Sequence, residues 1–285
     1  MAQKTKIILS LGGIAVIAAA ILVFSFLPGQ AEKLEVDFLD VGQGDAILIK
    51  SPYGQNILID GGPDGSVIKR LSENMPFWDR RIDLMILTHP HDDHVGGLIE
   101  VIKRYRVKKI LYSGVLHIGP AYLDWLKLVM ERKIPAVFAS RAQIIKLGPD
   151  CRFEILHPAE NLAMKGVENL NNSSVVIKLI YKKTAFLFAA DMEADAEKEL
   201  LAGSYDLRAD ALKAGHHGSD NSSGEEFLEK VSPRLAIIQV GKNNNFGHPS
   251  YRVLRRLEKI GAAIFRTDID GTIKIISDGE KVERE

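Results

Sequence analysis

Short apolar segments separated by turn residues dominate the chain from residue 34 onward. Positions 34–39 alternate between apolar and polar side chains, and positions 46–50 and 56–59 are apolar runs on either side of a Pro-Tyr-Gly turn. This pattern is typical of a β-hairpin or a meander. Positions 82–87 form a largely apolar run, which suits a strand buried on both faces.

The second half of the chain repeats the order of hairpins followed by alternating strands and helices. Helices are predicted at 95–104, 120–133, 193–201, 225–231 and 250–260. Further strands are predicted at 144–147, 152–156, 175–181, 185–188, 211–213, 235–240, 263–266 and 272–276. This order of elements predicts an α/β sandwich in four layers, with two packed sheets and helices outside them.

Residues 7–27 form a 21-residue segment without a charged side chain, about the ~20 residues that a helix needs to cross a bilayer. Lys4 and Lys6 precede it, and such lysines favour the cytoplasmic side. We therefore expect residues 1–31 to be a single-pass anchor in the cell membrane and residues 32–285 to fold outside the cytoplasm. The alternative is a cleaved signal peptide that leaves a secreted domain, because residues 29–31 read Gly-Gln-Ala.

Composition removes several classes of protein. The chain has 285 residues, is 46% hydrophobic and 26% charged, and carries zero formal net charge. These values exclude a disordered chain, and they give no support for a surface that is basic overall. Cys151 is the single cysteine, so a disulfide framework is excluded.

The segment 88–94, which follows the apolar run, carries the chemistry. It reads Thr-His-Pro-His-Asp-Asp-His, and imidazole nitrogens and aspartate oxygens are ligands of divalent transition metals. His89 and His91 are two residues apart and can point the same way on an extended loop. Asp93 and His94 are neighbours at a helix start and address a second point. The spacing therefore favours two metal ions.

This H-x-H-x-D-H motif after a buried strand resembles the signature of the metallo-β-lactamase superfamily. Residues 34–276 also resemble, in order, the hydrolase domain of ComEC-type competence proteins. The segments that carry this resemblance are FLDVGQGDA (38–46), LIDGG (58–62), HVGG (94–97), LKAGHHGS (212–219) and NFGHP (245–249). It implies an αββα sandwich and a metal-dependent hydrolase, with two Zn²⁺ or Mn²⁺ ions and DNA as the substrate class.

The resemblance also assigns residues. The implied metal ligands are His89, His91, Asp93, His94, Asp191 and His216. Asp191 matches the carboxylate that bridges two metals, although by itself it would also suit a helix N-cap. His217 is expected to point away from the metals, toward the substrate or leaving group. The candidate catalytic residues are Asp93, His217 and His248.

Three further positions are candidates for supporting roles. Segment 169–174 lacks a histidine that many superfamily members supply, so Asn172 or water is implied in its place. We expect the metal near His89 and His91 to bind more weakly or to be Mn²⁺, which suits oxygen-rich sites. Asp45 and Asp60 lie in glycine turns, where they either orient ligand histidines or serve the turn alone.

His248 precedes a predicted helix whose N-terminus would favour an anion. It is therefore a candidate to donate to a phosphate oxygen or to protonate a leaving group. A capping turn is the structural alternative for this residue.

Three functions fit these observations. The favoured one is a membrane-anchored phosphodiesterase that acts on DNA, or else on a cell-wall phosphodiester. The second is hydrolysis of a lactam, lactone or thioester at the same site. The missing histidine in segment 169–174 argues against it, as do the additional histidines His217 and His248, which suit an anionic substrate. The third is a non-catalytic DNA-binding module, because function depends on the site rather than on the fold.

Overall fold

Seventeen β-strands and seven α-helices make up residues 33–285, the part of the chain that the computed structural model describes. The strands are β1 (Leu34–Phe38), β2 (Ile47–Lys50), β3 (Asn56–Ile59), β4 (Arg81–Ile82), β5 (Leu84–Leu87), β6 (Arg106–Val107), β7 (Ile110–Tyr112), β8 (Ala136–Phe138), β9 (Ile144–Lys146), β10 (Cys151–His157), β11 (Val176–Tyr181), β12 (Thr184–Phe188), β13 (Ala211–Lys213), β14 (Leu235–Ile238), β15 (Ala263–Arg266), β16 (Ile273–Ser277) and β17 (Val282–Arg284). The helices are α1 (Ser66–Asn74), α2 (Asp92–Arg104), α3 (Pro120–Glu131), α4 (Ala194–Ala202), α5 (Glu225–Val231), α6 (Tyr251–Lys259) and α7 (Thr267–Asp270).

The strands form two mixed sheets and a short third pair. The first sheet has the order β17-β16-β1-β2-β3-β5-β7-β8 and is parallel from β3 to β8. The second has the order β15-β14-β13-β12-β11-β10-β9 and is parallel from β12 to β15. In both sheets the parallel strands alternate with helices and the remaining strands are antiparallel, so loops from parallel strands meet at one edge.

Three apolar clusters hold the sheets and helices together. The central cluster packs the two sheets face to face, with the rings of Phe38 and Phe188 6.2 Å apart. Strand β3 shows how the alternating pattern builds the layers. Ile57 and Ile59 join the central cluster, whereas Leu58 faces the cluster formed with α1, α2 and α3. The third cluster packs α4, α5 and α6 on the second sheet, which gives the order helix, sheet, sheet, helix.

Most predicted elements are present within one or two residues of their expected bounds. Helices α1 and α7 and strands β6, β7, β8 and β17 were not predicted, and the 82–87 run is split between β4 and β5 at Asp83. The Asp83 carboxylate accepts a hydrogen bond from the backbone amide of Asn56. The predicted membrane segment 7–27 lies outside the described residues. Within residues 33–285, no helix is both long enough and apolar enough to cross a membrane.

Glycines allow the loop after β3 to pack closely on helix α2. A Cβ on Gly97 would lie 1.9 Å from the carbonyl oxygen of Gly61, and a Cβ on Gly44 would lie 2.2 Å from that of Asp93. Side chains at these two positions would push the loops away from the helix start. The glycines therefore fix the distance between the acidic turns and the histidine segment.

Candidate metal centre

Most of the predicted site residues meet where several strands end. His89 and His91 follow β5, and α2 begins at Asp92 with Asp93 and His94 in its first turn. Asp60 follows the neighbouring parallel strand β3. From the second sheet, Asp191 follows β12, and the His-His pair follows β13. The two sheets thus bring residues from opposite halves of the sequence to one edge.

Four of these residues form a group that we call the inner cluster: Asp93, His94, Asp191 and His217. One ligand atom from each lies within 4.8 Å of the others, and all but Asp93 are buried. Oδ2 of Asp191 is 3.3 Å from Nε2 of His94 and 3.3 Å from Nε2 of His217. Two imidazole nitrogens and two carboxylates are a donor set that suits a divalent transition metal.

Each histidine of the inner cluster is oriented through its other ring nitrogen. Nδ1 of His94 is 2.8 Å from Oδ2 of Asp60, and Nδ1 of His217 is 2.9 Å from the carbonyl oxygen of Gln239. Both acceptors place a proton on Nδ1, so that Nε2 can offer its lone pair to a metal, as metal-ligating histidines require. Nε2 of His94 is buried and has no well-aligned hydrogen-bond partner among the described residues, so these residues fit a metal at this point.

The charges of the inner cluster also call for cations. Burial opposes ionisation, yet the carboxylates of Asp191 and its neighbours raise the pKa of His94 and of His217 well above the usual value. Burial is likewise outweighed at Asp191, where His217, His94 and Lys213 hold the carboxyl pKa well below its usual value. The cluster therefore attracts positive charge to the space between its carboxylates, either as protons or as a metal ion.

His89 and His91 form a second arrangement, which we call the outer pair. Nε2 of His89 lies 3.1 Å from Nδ1 of His91 and 4.0 Å from Oδ2 of Asp191. Burial, followed by the nearby His94, lowers the pKa of both His89 and His91. Both rings are therefore neutral near pH 7, the state in which imidazole binds a metal.

Asp60 connects the inner cluster with the outer pair. It accepts hydrogen bonds from the Thr88 amide at 2.8 Å and the Thr88 hydroxyl at 2.7 Å, in addition to His94. The Thr88 hydroxyl lies 3.1 Å from Nδ1 of His89. Because the hydroxyl donates to Asp60, it accepts from Nδ1 of His89, which leaves Nε2 of His89 unprotonated. Of the two readings offered by the sequence for Asp60, the geometry favours orientation of ligands.

Asp45 is paired with a buried cation that sequence reasoning missed. Lys213 ends strand β13, forms an ion pair with Asp45 and lies 3.4 Å from Oδ1 of Asp191. It also donates to the carbonyl oxygen of Ala190 at 2.8 Å. Asp45, Asp60 and His94 satisfy the spacing of a second metal group, but Lys213 already supplies the positive charge there. A charged residue at the end of an apolar strand, directly before the His-His pair, was the available signal.

The two adjacent histidines have the opposite orientation to the one expected. His217 is buried and its Nε2 lies 3.2 Å from Oδ2 of Asp93, whereas His216 is 24% exposed and its Nε2 lies 3.9 Å from Oδ2 of Asp191. The expectation that His217 points away from the cluster is therefore wrong. The cause is a turn in which His216 (φ 44°) and His217 (φ 51°) are both left-handed, a conformation that costs non-glycine residues energy and is concentrated at functional sites.

Asn172 does not reach the cluster. Its Oδ1 accepts a hydrogen bond from the Glu193 amide at 2.9 Å, at the start of α4. Ser174 lies closer to the outer pair, with Oγ 3.5 Å from Nδ1 of His89. The backbone thus turns the amide toward the helix start and away from the position of the missing histidine.

A cleft of about 650 Å³ opens beside these residues. His216 and His248 line it, and their ring centroids are 5.6 Å apart. The four carboxylates that line it are Asp64, Asp92, Asp93 and Asp191. The described residues that line the cleft include neither lysine nor arginine. The cleft is accordingly acidic in the absence of bound cations.

A two-sheet sandwich with this histidine and aspartate site at the sheet edge defines a class of metal-dependent hydrolases. Residues 39–242 match the family model of the metallo-β-lactamase superfamily. The chain belongs to that superfamily.

Curated relatives place the chain near competence proteins within this superfamily. It is 31% identical over 265 residues to ComE operon protein 3 of Bacillus subtilis, which covers 87% of the chain and 33% of that protein. It is 30% identical over 268 residues to Recombination protein 2 of Haemophilus influenzae, which covers 92% of the chain and 31% of that protein. The chain thus spans about a third of the length of the curated relatives it matches, and the predicted relationship is confirmed.

Solved structures agree on the fold. The metallo-β-lactamase fold protein YhfI from Bacillus subtilis matches 86% of the chain and 100% of its own, with a TM-score of 0.56 and 11% identity. A metallo hydrolase from Ignicoccus hospitalis matches 84% of the chain and 98% of its own, with a TM-score of 0.54 and 17% identity. At these identities the likeness concerns the fold alone.

Proposed function

We propose that this metal-dependent hydrolase is a two-metal phosphodiesterase. The observation that carries the proposal is the position of Asp191, whose Oδ2 lies 3.3 Å from Nε2 of His94 and of His217 and 4.0 Å from Nε2 of His89. One carboxylate between the inner cluster and the outer pair is suited to two cations about 3.5–4 Å apart. Zn²⁺ and Mn²⁺ are the candidate metals.

The acidic cleft supports a role for cations in substrate binding. When bound, two divalent ions would supply Lewis acidity for activating a water and for stabilising charge on phosphoryl oxygens. The four lining carboxylates, unaccompanied by lysine or arginine, would otherwise repel an anionic phosphodiester. In this proposal the inner cluster and the outer pair hold the metals, and Asp60 keeps His94 and His89 aligned.

We assign the remaining histidines according to their exposure. His217 belongs with the metal ligands, and His216 faces the cleft, which exchanges the roles expected for this pair. Burial and the adjacent His216 lower the pKa of His248, so its ring is neutral near pH 7. A neutral imidazole there can donate its N–H in a hydrogen bond to a phosphoryl oxygen, and it would have to take up a proton before it could protonate a leaving group.

DNA is the proposed substrate class. Support comes from the relatives named for competence and recombination, one being Competence protein ComA of Neisseria gonorrhoeae, which is 29% identical over 238 residues.

We further propose that residues 7–27 anchor the protein in the cell membrane with its catalytic domain outside the cytoplasm. Protease accessibility in intact and permeabilised cells tests this location, and we expect residues 32–285 to be cleaved in intact cells. Cleavage of these residues only after permeabilisation would contradict the proposal.

Turnover by the full-length protein tests the phosphodiesterase proposal. We expect Mn²⁺- or Zn²⁺-dependent hydrolysis of bis-p-nitrophenyl phosphate and of single-stranded DNA, and its loss in Asp191→Ala. Asp195→Ala is the matched control, because Asp195 is an exposed carboxylate of α4 that pairs with Lys198. Hydrolysis of nitrocefin without hydrolysis of either phosphodiester would favour the carbonyl substrates instead. Tight DNA binding without turnover under any metal would favour a binding module.

A further inference from the structure

The acidic cleft raises the question of what recognises the substrate beyond the scissile phosphate. Metal ions can balance the charge of one phosphate, but the described lining offers neither lysine nor arginine to flanking groups. Among the described residues that line the cleft, Phe246 is the one phenylalanine, tyrosine or tryptophan. Its side chain therefore provides a broad flat surface beside the metal centre.

Phe246 is exposed to solvent on one side and contacts the ring of His248 on the other. Its ring is stacked on that of His248, with centroids 5.9 Å apart and planes at 17°. The residue is nevertheless 69% exposed. One face of the ring is thus supported by His248, while much of the side chain remains available to a ligand.

The loop that carries Phe246 is braced by Asn244. Oδ1 of Asn244 accepts from the amides of Phe246 at 3.1 Å and of His248 at 3.0 Å. Nδ2 of Asn244 donates to the carbonyl oxygens of Gly241 at 3.1 Å and of His248 at 2.7 Å. Such bracing reduces the entropy lost when a ligand stacks on the ring.

Exposed aromatic residues are common and need no special explanation by themselves. Tyr251 is 74% exposed and Phe77 is 83% exposed, yet neither lines the cleft. Phe246 differs from both because it combines exposure with a place in the cleft, a stacked histidine and a braced loop. A planar group that flanks the reacting phosphate would contact this ring.

We propose that Phe246 is a specificity-determining residue that stacks on the nucleobase next to the scissile phosphodiester. This inference rests on the proposed phosphodiesterase function and deepens it. Stacking on an aromatic side chain tolerates any base, because every base has a π-face. The site would then favour nucleic acid over phosphodiesters without planar groups, and it would do so without reading sequence.

Chromogenic substrates with and without a base test the proposal. The substrates are the 5′- and 3′-p-nitrophenyl phosphates of thymidine and the matching abasic sugar esters, assayed with metal-loaded, full-length protein. We expect a KM about tenfold lower with the base on one of the two isomers, in the range that base stacking gives. Phe246→Leu should remove this difference in KM with little change in kcat, and Phe246→Trp should retain it. Tyr251→Leu is the control and should behave as the wild type does.

The outcomes separate this inference from the proposed function. A wild type that hydrolyses the esters with no preference for the base, or a Phe246→Leu variant that keeps the preference, would overturn the inference and leave the phosphodiesterase standing. A wild type that hydrolyses none of the esters contradicts the phosphodiesterase. Stacking is then read from fluorescence of a single-stranded oligonucleotide that contains 2-aminopurine. If the wild type quenches the 2-aminopurine fluorescence and Phe246→Leu does not, stacking on Phe246 is supported. Equal quenching by both proteins rejects it.

Discussion

The inner cluster and the outer pair lie side by side but differ in how many metal-binding groups they provide and in how firmly their histidines are oriented. In the inner cluster, each histidine has its Nδ1 tied to an oxygen within 2.9 Å, at Asp60 or at the carbonyl of Gln239. Two carboxylates complete its donor set. In the outer pair, His89 is oriented by hydroxyl groups at 3.1 and 3.5 Å, and His91 is only partly buried.

This difference shows that one fold can orient the side chains that bind one cation more tightly than those that bind a second cation nearby. The outer pair lacks the additional histidine and gains nothing from Asn172. We therefore expect two metal ions to bind with distinct affinities, the tighter one at the inner cluster.

Removal of a ligand from the inner cluster should have the largest effect. We expect His217→Ala to weaken the tighter metal by more than about 100-fold, since supporting residues alone are worth about 10–100-fold. The matched variant His216→Ala should keep that metal and lose turnover, because His216 faces the cleft. Metal content by mass spectrometry after dialysis against graded chelator measures both. If His216→Ala loses more metal than His217→Ala, the assignment made from the sequence, with His216 as the metal ligand, would be correct.

An intermediate effect is expected at the connection between the two regions. Asp60→Asn places an amide where Asp60 accepts from His94 and Thr88, and it should weaken both metals by about 10–100-fold. Thr88→Val removes only the hydroxyl between Asp60 and His89, so it should weaken the looser metal alone. Competition titrations with a chromogenic chelator resolve the two affinities. Equal losses at both metals in Thr88→Val would show that the two regions are not separable.

The sequence was sufficient for most strands of the two sheets and for most of the site. Strand ends, glycine turns and the H-x-H-x-D-H spacing are local features, and they identify His89, His91, Asp93 and His94 from residue type alone. Asp191 was placed through the resemblance, because one aspartate after an apolar strand has no distinctive pattern of its own.

Orientation within the His-His pair was not available from the sequence. Which ring turns inward depends on two consecutive left-handed residues and on the carbonyl oxygen of Gln239, which is 22 positions away in the chain. The role of Lys213 was missed for a related reason, since its partner Asp45 comes from the other sheet. Contacts between residues that are far apart in the sequence decide such details, and the hydrophobic periodicity of the chain carries no information about them.

The smallest effect is expected at Asn172, where stability and metal binding should separate. Asn172→Ala removes the acceptor for the Glu193 amide, and a hydrogen bond of this kind is worth about 1 kcal/mol, or roughly 2–4 °C in Tm for a domain of this size. Metal content should stay unchanged. Asn172→Asp keeps an acceptor at the same position and should restore the Tm without adding affinity, as followed by calorimetry of the metal-free and metal-loaded protein. A gain of affinity for the looser metal in Asn172→Asp would instead place this side chain within reach of the outer pair, and the asymmetry between the two regions would then be smaller than the distances indicate.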